Sequence, residues 1–147
     1  MTRSTAVLAP GVAALVVVAG CGSSQPKPTK AQYVARGNAV CAGVSRSVKA
    51  LAGQGLPLEV LAPQVLAVRQ KANARLRSIP LPADSKVPSE WLHLREVALD
   101  DAKKIFQAKP NSPAYRAANL RYRRAEAQVI DVALRYGFGE CVGVASN

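Results

Sequence analysis

The sequence predicts an all-α fold, an up-and-down four-helix bundle. In four successive segments, apolar residues recur at alternating steps of three and four, the spacing that places side chains on one face of a helix. Breaks rich in proline, glycine and small polar residues separate these segments. No segment alternates polar and apolar residues as a half-buried strand would. Four amphipathic helices with short connections are typical of a bundle in which neighbouring helices run antiparallel.

The first helix is expected to begin at Lys30, with Thr29 as its N-cap, and to end at Gly53 and Gly55. Its apolar stripe contains the first cysteine of the predicted bundle, Cys41. The complete stripe is Val34, Gly37, Cys41, Val44, Val48 and Leu51.

The second helix is expected to open after Pro57 and to stop at the prolines in 80–82. Pro63 lies inside this segment and lacks the backbone N–H that a helix uses, so we expect a late start or a kink there. The stripe comprises Leu58, Leu61, Val65, Val68, Ala72, Leu76 and Ile79.

The third and fourth helices are separated by a break at 109–113. The third is expected after residues 84–90, and Ser112 and Pro113 are expected as N-cap and first residue of the fourth. Gly137 is placed to end the fourth helix in a left-handed conformation. The stripes are Trp91, Leu94, Ala98, Ala102 and Ile105, then Tyr115, Ala118, Tyr122, Ala125, Val129, Val132 and Tyr136.

The first 20 residues are typical of a secretory signal. One positive side chain, Arg3, precedes an uncharged run over 6–20, and small residues follow. The alternative is a permanent membrane helix, but 15 residues interrupted by Pro10 and Gly11 are shorter than the roughly 20 that a bilayer requires. We therefore expect export.

Residues 18–21, VAGC, resemble a bacterial lipobox, in which an apolar residue and two small ones precede a cysteine. The resemblance implies cleavage before Cys21 and attachment of diacylglyceryl to its sulfur. Two acyl chains hold a protein on a membrane stably, whereas one is marginal. Residues 22–29, GSSQPKPT, contain two prolines and no apolar side chain, so we expect a tether of at most about 25 Å.

Two cysteines remain, Cys41 and Cys141, and an even pair in an exported chain favours one disulfide. It would connect the end of the chain to the first helix. The alternatives are two buried free thiols or half of a metal site. Zinc usually requires four ligands, and the only histidine, His93, has no spaced partner, so we expect no metal and no cofactor.

The charge is strongly positive, with 20 Lys and Arg against 9 Asp and Glu. Nine positive residues lie between Lys27 and Arg77 with only Glu59 to oppose them. A second cluster on the fourth helix is a candidate polyanion contact: Arg116, Arg121, Arg123 and Arg124. One interpretation is a solvated surface; the other is contact with anionic lipids or cell-wall polymers, because clustered cations attract phosphate-bearing surfaces. Export argues against nucleic acid as the partner.

No catalytic motif is present: neither a nucleophile elbow, nor His-Glu-x-x-His, Cys-x-x-Cys or a phosphate-binding glycine loop. Asp100 and Asp101 are neighbours that point about 100° apart on a helix, which favours a solvated face over a paired-carboxylate site. Tyr115, Tyr122 and Tyr136 could line a pocket between helices, but large aromatics on a buried stripe are more typical of core. We expect a protein that is not an enzyme.

Two short stretches carry a family resemblance. Residues 31–41, AQYVARGNAVC, and 136–141, YGFGEC, resemble the small alanine-rich lipoproteins common in high-GC Gram-positive bacteria. The similarity covers most of the chain after Cys21. It implies a membrane-attached location and a helical fold, and it supplies no active-site residues.

Together these observations divide the chain into a lipoprotein signal peptide over 1–20, lipidated Cys21 with its tether over 21–29, and a bundle over 30–147. The expected protein is anchored by lipid on the outer face of the cell membrane, where it has a non-enzymatic binding or structural role. A protein partner of unknown identity is also a candidate. The alternative function is a carrier of a small hydrophobic ligand held between the helices.

Overall fold

The computed structural model describes residues 26–142, and within that range the chain forms five helices. Residues 1–20 and Cys21 therefore lie outside the described residues. The helices are α1 Lys30–Ala52, α2 Leu58–Arg77, α3 Lys86–Gln107, α4 Pro113–Tyr136 and a single-turn α5 Gly139–Val142.

The four long helices pack in chain order, α1 on α2, α2 on α3 and α3 on α4. Short connections between packed neighbours give the up-and-down arrangement. The predicted all-α four-helix bundle is therefore confirmed. The sequence did not predict α5, which packs against both α1 and α4 and so joins the first and last helices of the bundle.

Local sequence signals set most of the helix ends. Thr29 and Gln32 form a capping box at the start of α1, and the Ser112 hydroxyl accepts a hydrogen bond from the backbone N–H of Tyr115 at the start of α4. Gly137 ends α4 with a φ of 106°, a left-handed conformation that glycine adopts without a steric penalty. These three predicted ends are confirmed.

The predicted late start of α2 is wrong. The helix begins at Leu58, directly after Pro57, and continues through Pro63. A proline at this position removes the hydrogen bond that would reach the carbonyl of Glu59. Glu59 lies in the exposed first turn, where water can bind the carbonyl instead, so one early proline does not delay the helix.

Four aromatic rings fill one end of the bundle core. Phe138 is fully buried and stacks on Trp91, with their ring centroids 4.3 Å apart. Tyr33 and Tyr136 pack around the same ring at 5.7 and 5.2 Å. At the start of α1, Tyr33 is fully buried, and the predicted stripe residue Val34 is partly buried and packs against the same core. Tyr136 therefore belongs to the core, as its stripe position favoured.

Candidate functional site

The C-terminal segment is fixed to α1 by covalent and polar contacts. Cys41 and Cys141 form a disulfide, with their Cα atoms 4.9 Å apart and both side chains buried. Asn38 donates to the carbonyl of Gly137 at 3.4 Å and accepts from the backbone N–H of Glu140 at 3.3 Å. The predicted disulfide is confirmed. It holds the chain end against the helix that follows the expected tether.

Of the two adjacent aspartates on α3, only one is solvated. Asp100 is exposed and pairs with Lys104. Asp101 is buried at 3% exposure, and its carboxylate lies 3.0 Å from Nε of Arg121 and 3.6 Å from Nζ of Lys104. The interpretation of both aspartates as a solvated face is therefore wrong for Asp101. Its partner Arg121 belongs to another helix, so spacing along α3 could not reveal it.

The structure does not bring the four α4 arginines to one face. Arg121 is turned towards α3, and Arg116 donates to the carbonyl of Asn111 at 2.5 Å. Arg123 donates to the side chain of Asn119 at 3.3 Å. On an ideal helix it lies only about 20° from Arg116, so these two arginines do share a direction. Arg124 is exposed. Three of the four guanidinium groups thus bind neighbouring groups of the same chain.

A groove of about 520 Å³ lies between α1 and α2. Its cationic groups come from both helices, Arg46 from α1 and Lys71 and Arg75 from α2, and Ser47 adds a hydroxyl. A Cβ at Gly43 would meet no other atom within 4 Å, so the glycine faces open space there. Apolar or small side chains complete the lining: Ala39, Val40, Val44, Val68 and Ala72.

Among the residues that the structure describes, no carboxylate lines this groove. In the described part of the chain, Arg46, Lys71 and Arg75 make no ion pair, and all three side chains are exposed. Within residues 26–142, no carboxylate therefore pairs directly with these three cations. Three cations beside an apolar floor can bind an anionic group and also accept the carbon atoms attached to it.

A second polar cluster lies partly buried between α2, α3 and α4. Arg69 donates to the Tyr122 hydroxyl at 2.9 Å and lies 3.6 Å from the carboxylate of Glu126. Arg95 donates to Asn73 at 3.3 Å, and its guanidinium lies 4.9 Å from the centre of the Trp91 ring. These hydrogen bonds and this ion pair connect α2 to α3 and α2 to α4.

Burial is the largest cause of the shifted pKa values in this cluster. It lowers the pKa of Arg95 to about 10, against the favourable charge of Glu126. It raises the pKa of Glu126, against the opposing attraction of Arg69 and Arg95. It also raises the pKa of Tyr122. Because Arg95 lies over the ring of the core residue Trp91 and the cluster links three helices, we assign the cluster a structural role.

Other candidate groups are not assembled into a site. His93 is exposed on α3. Over residues 26–142, no group of three or more His, Cys, Asp or Glu side chains could hold a metal ion. No helix in the same range combines the length and apolar character needed to cross a bilayer.

Sequence reasoning did not single out Arg46, Lys71 and Arg75. The available signal was the excess of positive residues between Lys27 and Arg77, but only the packing of α1 on α2 shows which of them share a groove. No protein-family model matches the chain, and neither does any curated protein or solved structure.

Proposed function

We propose that this protein is a lipid-anchored component of the cell envelope that binds an anionic envelope polymer or lipid and catalyses no reaction. The observation that carries the proposal is the α1–α2 groove, which is lined by Arg46, Lys71 and Arg75 and, in the described part of the chain, by no acidic side chain. The sequence before the bundle supplies the second element, a signal-like segment ending in the lipobox-like residues 18–21.

These two elements support one another. An anchor at Cys21 would keep the bundle close to a surface rich in phosphate groups, and each cation near an anionic membrane contributes about 1 kcal/mol. The expected tether joins α1 directly, so the helix that follows the anchor also contributes to the groove. Of the two basic regions, the α1–α2 groove is better suited than the α4 arginines, three of which already have partners.

The contacts of the core favour this proposal over the carrier alternative. Phe138, Trp91 and Tyr33 occupy the interior between the helices at the α5 end. A groove of about 470 Å³ near Tyr136 lies at the periphery of the bundle, between the start of α1 and residues 82–84. A hydrophobic cargo would have to displace core rings, which is costly in a close-packed interior.

Metabolic labelling tests the anchor. Cells expressing the full chain are grown with labelled palmitate, and the protein is isolated and analysed by mass spectrometry. We expect label on the wild type and none on Cys21→Ala, because the thiol is the expected attachment site. Equal labelling of both proteins would refute the anchor assignment.

Binding of the full chain to an anionic polymer tests the proposed recognition of an anionic envelope component. We expect affinity at low salt that declines as salt is added, because screening weakens exposed charges. Poly(glutamic acid) and a neutral polymer of equal length serve as probe and control. If the chain binds neither probe at low salt, the proposed role in anion binding is wrong.

A further inference from the structure

We propose that the α1–α2 groove is a discrete site for the headgroup of an anionic phospholipid. This inference rests on the proposed function and makes it specific: it names the ligand class and assigns the contact to one groove. Positive charge alone would attract any polyanion over a broad surface, so the argument depends on the shape and the lining of the groove.

The lining matches both halves of a phospholipid headgroup. Arg46, Lys71 and Arg75 surround the groove from two helices and can contact phosphate oxygens, and the Ser47 hydroxyl can donate to one of them. The floor between them is apolar, formed by Val40, Val44, Val68 and Ala72. A phosphate attached to glycerol carbons uses both kinds of surface, whereas inorganic phosphate uses only the first.

Gly43 faces open space in the groove. It lies among the lining residues, and the space where its Cβ would be is unoccupied to 4 Å. Glycine weakens a helix interior by about 0.5–1 kcal/mol relative to alanine. The other α1 glycine inside the helix, Gly37, makes room for Phe138. Among the described residues outside the neighbouring turn of α1, no atom lies within 4 Å of this position, so the groove has room there for a ligand.

The position along α1 is compatible with a membrane ligand. Gly43 is 13 residues after Lys30, or about 20 Å along a helix. The eight residues expected as a tether reach about 25 Å when extended. A bundle attached through Cys21 can therefore lie with α1 and α2 against the bilayer, which brings the groove to the level of the headgroups.

Lysine footprinting provides a readout at the groove itself. The full chain is kept in nonionic detergent micelles, which also accommodate its apolar N-terminal segment, and phosphatidylglycerol is titrated into the micelles. Acetylation of Lys71 is followed by mass spectrometry, with exposed Lys109 as the internal reference. We expect phosphatidylglycerol to protect Lys71 and not Lys109. Phosphatidylcholine, which carries no net charge, is expected to protect neither.

Two pairs of variants distinguish binding in the α1–α2 groove from attraction to positive charge anywhere on the surface. Gly43→Leu fills the space without changing charge. It should raise the phosphatidylglycerol concentration that gives half-maximal protection of Lys71 on the order of tenfold, while Gly43→Ala should leave that concentration unchanged. The double variant Arg46→Gln with Arg75→Gln should raise the same concentration about 30-fold, which is about fivefold for each cation removed. Arg123→Gln with Arg124→Gln removes the same charge from α4 and should leave protection unchanged. Circular dichroism checks that each variant is folded.

The outcomes distinguish this inference from the broader function. Equal protection in Gly43→Leu and Gly43→Ala, or an equal loss in the α4 variant, would overturn the groove and leave binding of an anionic component intact. Protection by inorganic phosphate at the same concentration would overturn the lipid assignment. Absence of any protection would also overturn it, while the palmitate and polymer experiments independently test the proposed function.

Discussion

Gly37 of α1 lies directly against the ring of Phe138, and a Cβ built at Gly37 would be 2.7 Å from Cε1 of that ring. Phe138 is fully buried and also stacks on Trp91. The absence of a side chain at Gly37 thus lets the C-terminal segment enter the core, where the disulfide between Cys41 and Cys141 holds it.

The two glycines inside α1 are expected to respond to alanine with opposite signs. Gly37→Ala should lower the free energy of unfolding by about 1–3 kcal/mol, because the added methyl group forces Phe138 to shift in a packed core. Gly43→Ala should raise it by about 0.5–1 kcal/mol, because the methyl group meets open space and alanine favours the helix. Urea unfolding of both variants measures the difference. A change of the same sign in both would contradict this account of Phe138.

Removal of the disulfide is expected to destabilise the bundle without changing its helices. Replacing Cys41 and Cys141 together by alanine should cost about 2–5 kcal/mol, because the bond closes a loop with a sequence separation of 100 residues. Chemical unfolding of the variant and of reduced wild type gives the size of the effect. Peptide mapping without reductant should recover the two cysteines linked. An unfolding midpoint equal to that of the oxidised wild type would show that the bond adds no stability.

The parts of the fold predicted from sequence depend on local patterns. Thr29, Ser112 and Gly137 act on neighbouring backbone groups, so their residue types alone identify helix ends. The role of Phe138 could not be predicted in this way. The helix α5 that follows it has only 4 residues, too few to show a helical period, and the ring's contacts come from α1, α3 and α4.

The candidate site was predicted only as an excess of charge. Composition showed the positive residues before Arg77, but not that Arg46 and Arg75 line one groove, because they lie on different helices. The α4 arginines were more conspicuous in the sequence because they are close together along the chain. Their helix directs Arg121 towards α3, which sequence spacing alone did not show.

The adjacent aspartates of α3 are expected to differ strongly in their effect on stability. Asp101→Asn should lower the free energy of unfolding by about 1–3 kcal/mol, because it weakens a buried acceptor shared by Arg121 and Lys104. Asp100→Asn is the matched control and should change stability little, because that carboxylate is exposed to water. Thermal and urea unfolding of both proteins measure the contrast. Equal effects would contradict the burial of Asp101.

The partly buried carboxyl group of Glu126 is expected to make stability depend on pH. Burial raises its pKa in the folded protein above the ordinary value of 4.5, against the attraction of Arg69 and Arg95. The folded state therefore retains a proton that the unfolded state releases. Its contribution to stability is fully present below the unfolded pKa and is lost as the pH rises through the folded pKa.

Glu126→Gln carries no titrating group at this position, so the decline of stability above pH 4.5 that Glu126 causes should disappear in the variant. The measurement is the difference between the unfolding free energies of wild type and variant across this pH range. Glu90→Gln, an exposed substitution on α3, is expected to follow the wild-type curve. If the difference for Glu126→Gln instead showed wild-type stability rising with pH, attraction to Arg69 and Arg95 would outweigh burial. The carboxylate would then be held charged inside the bundle.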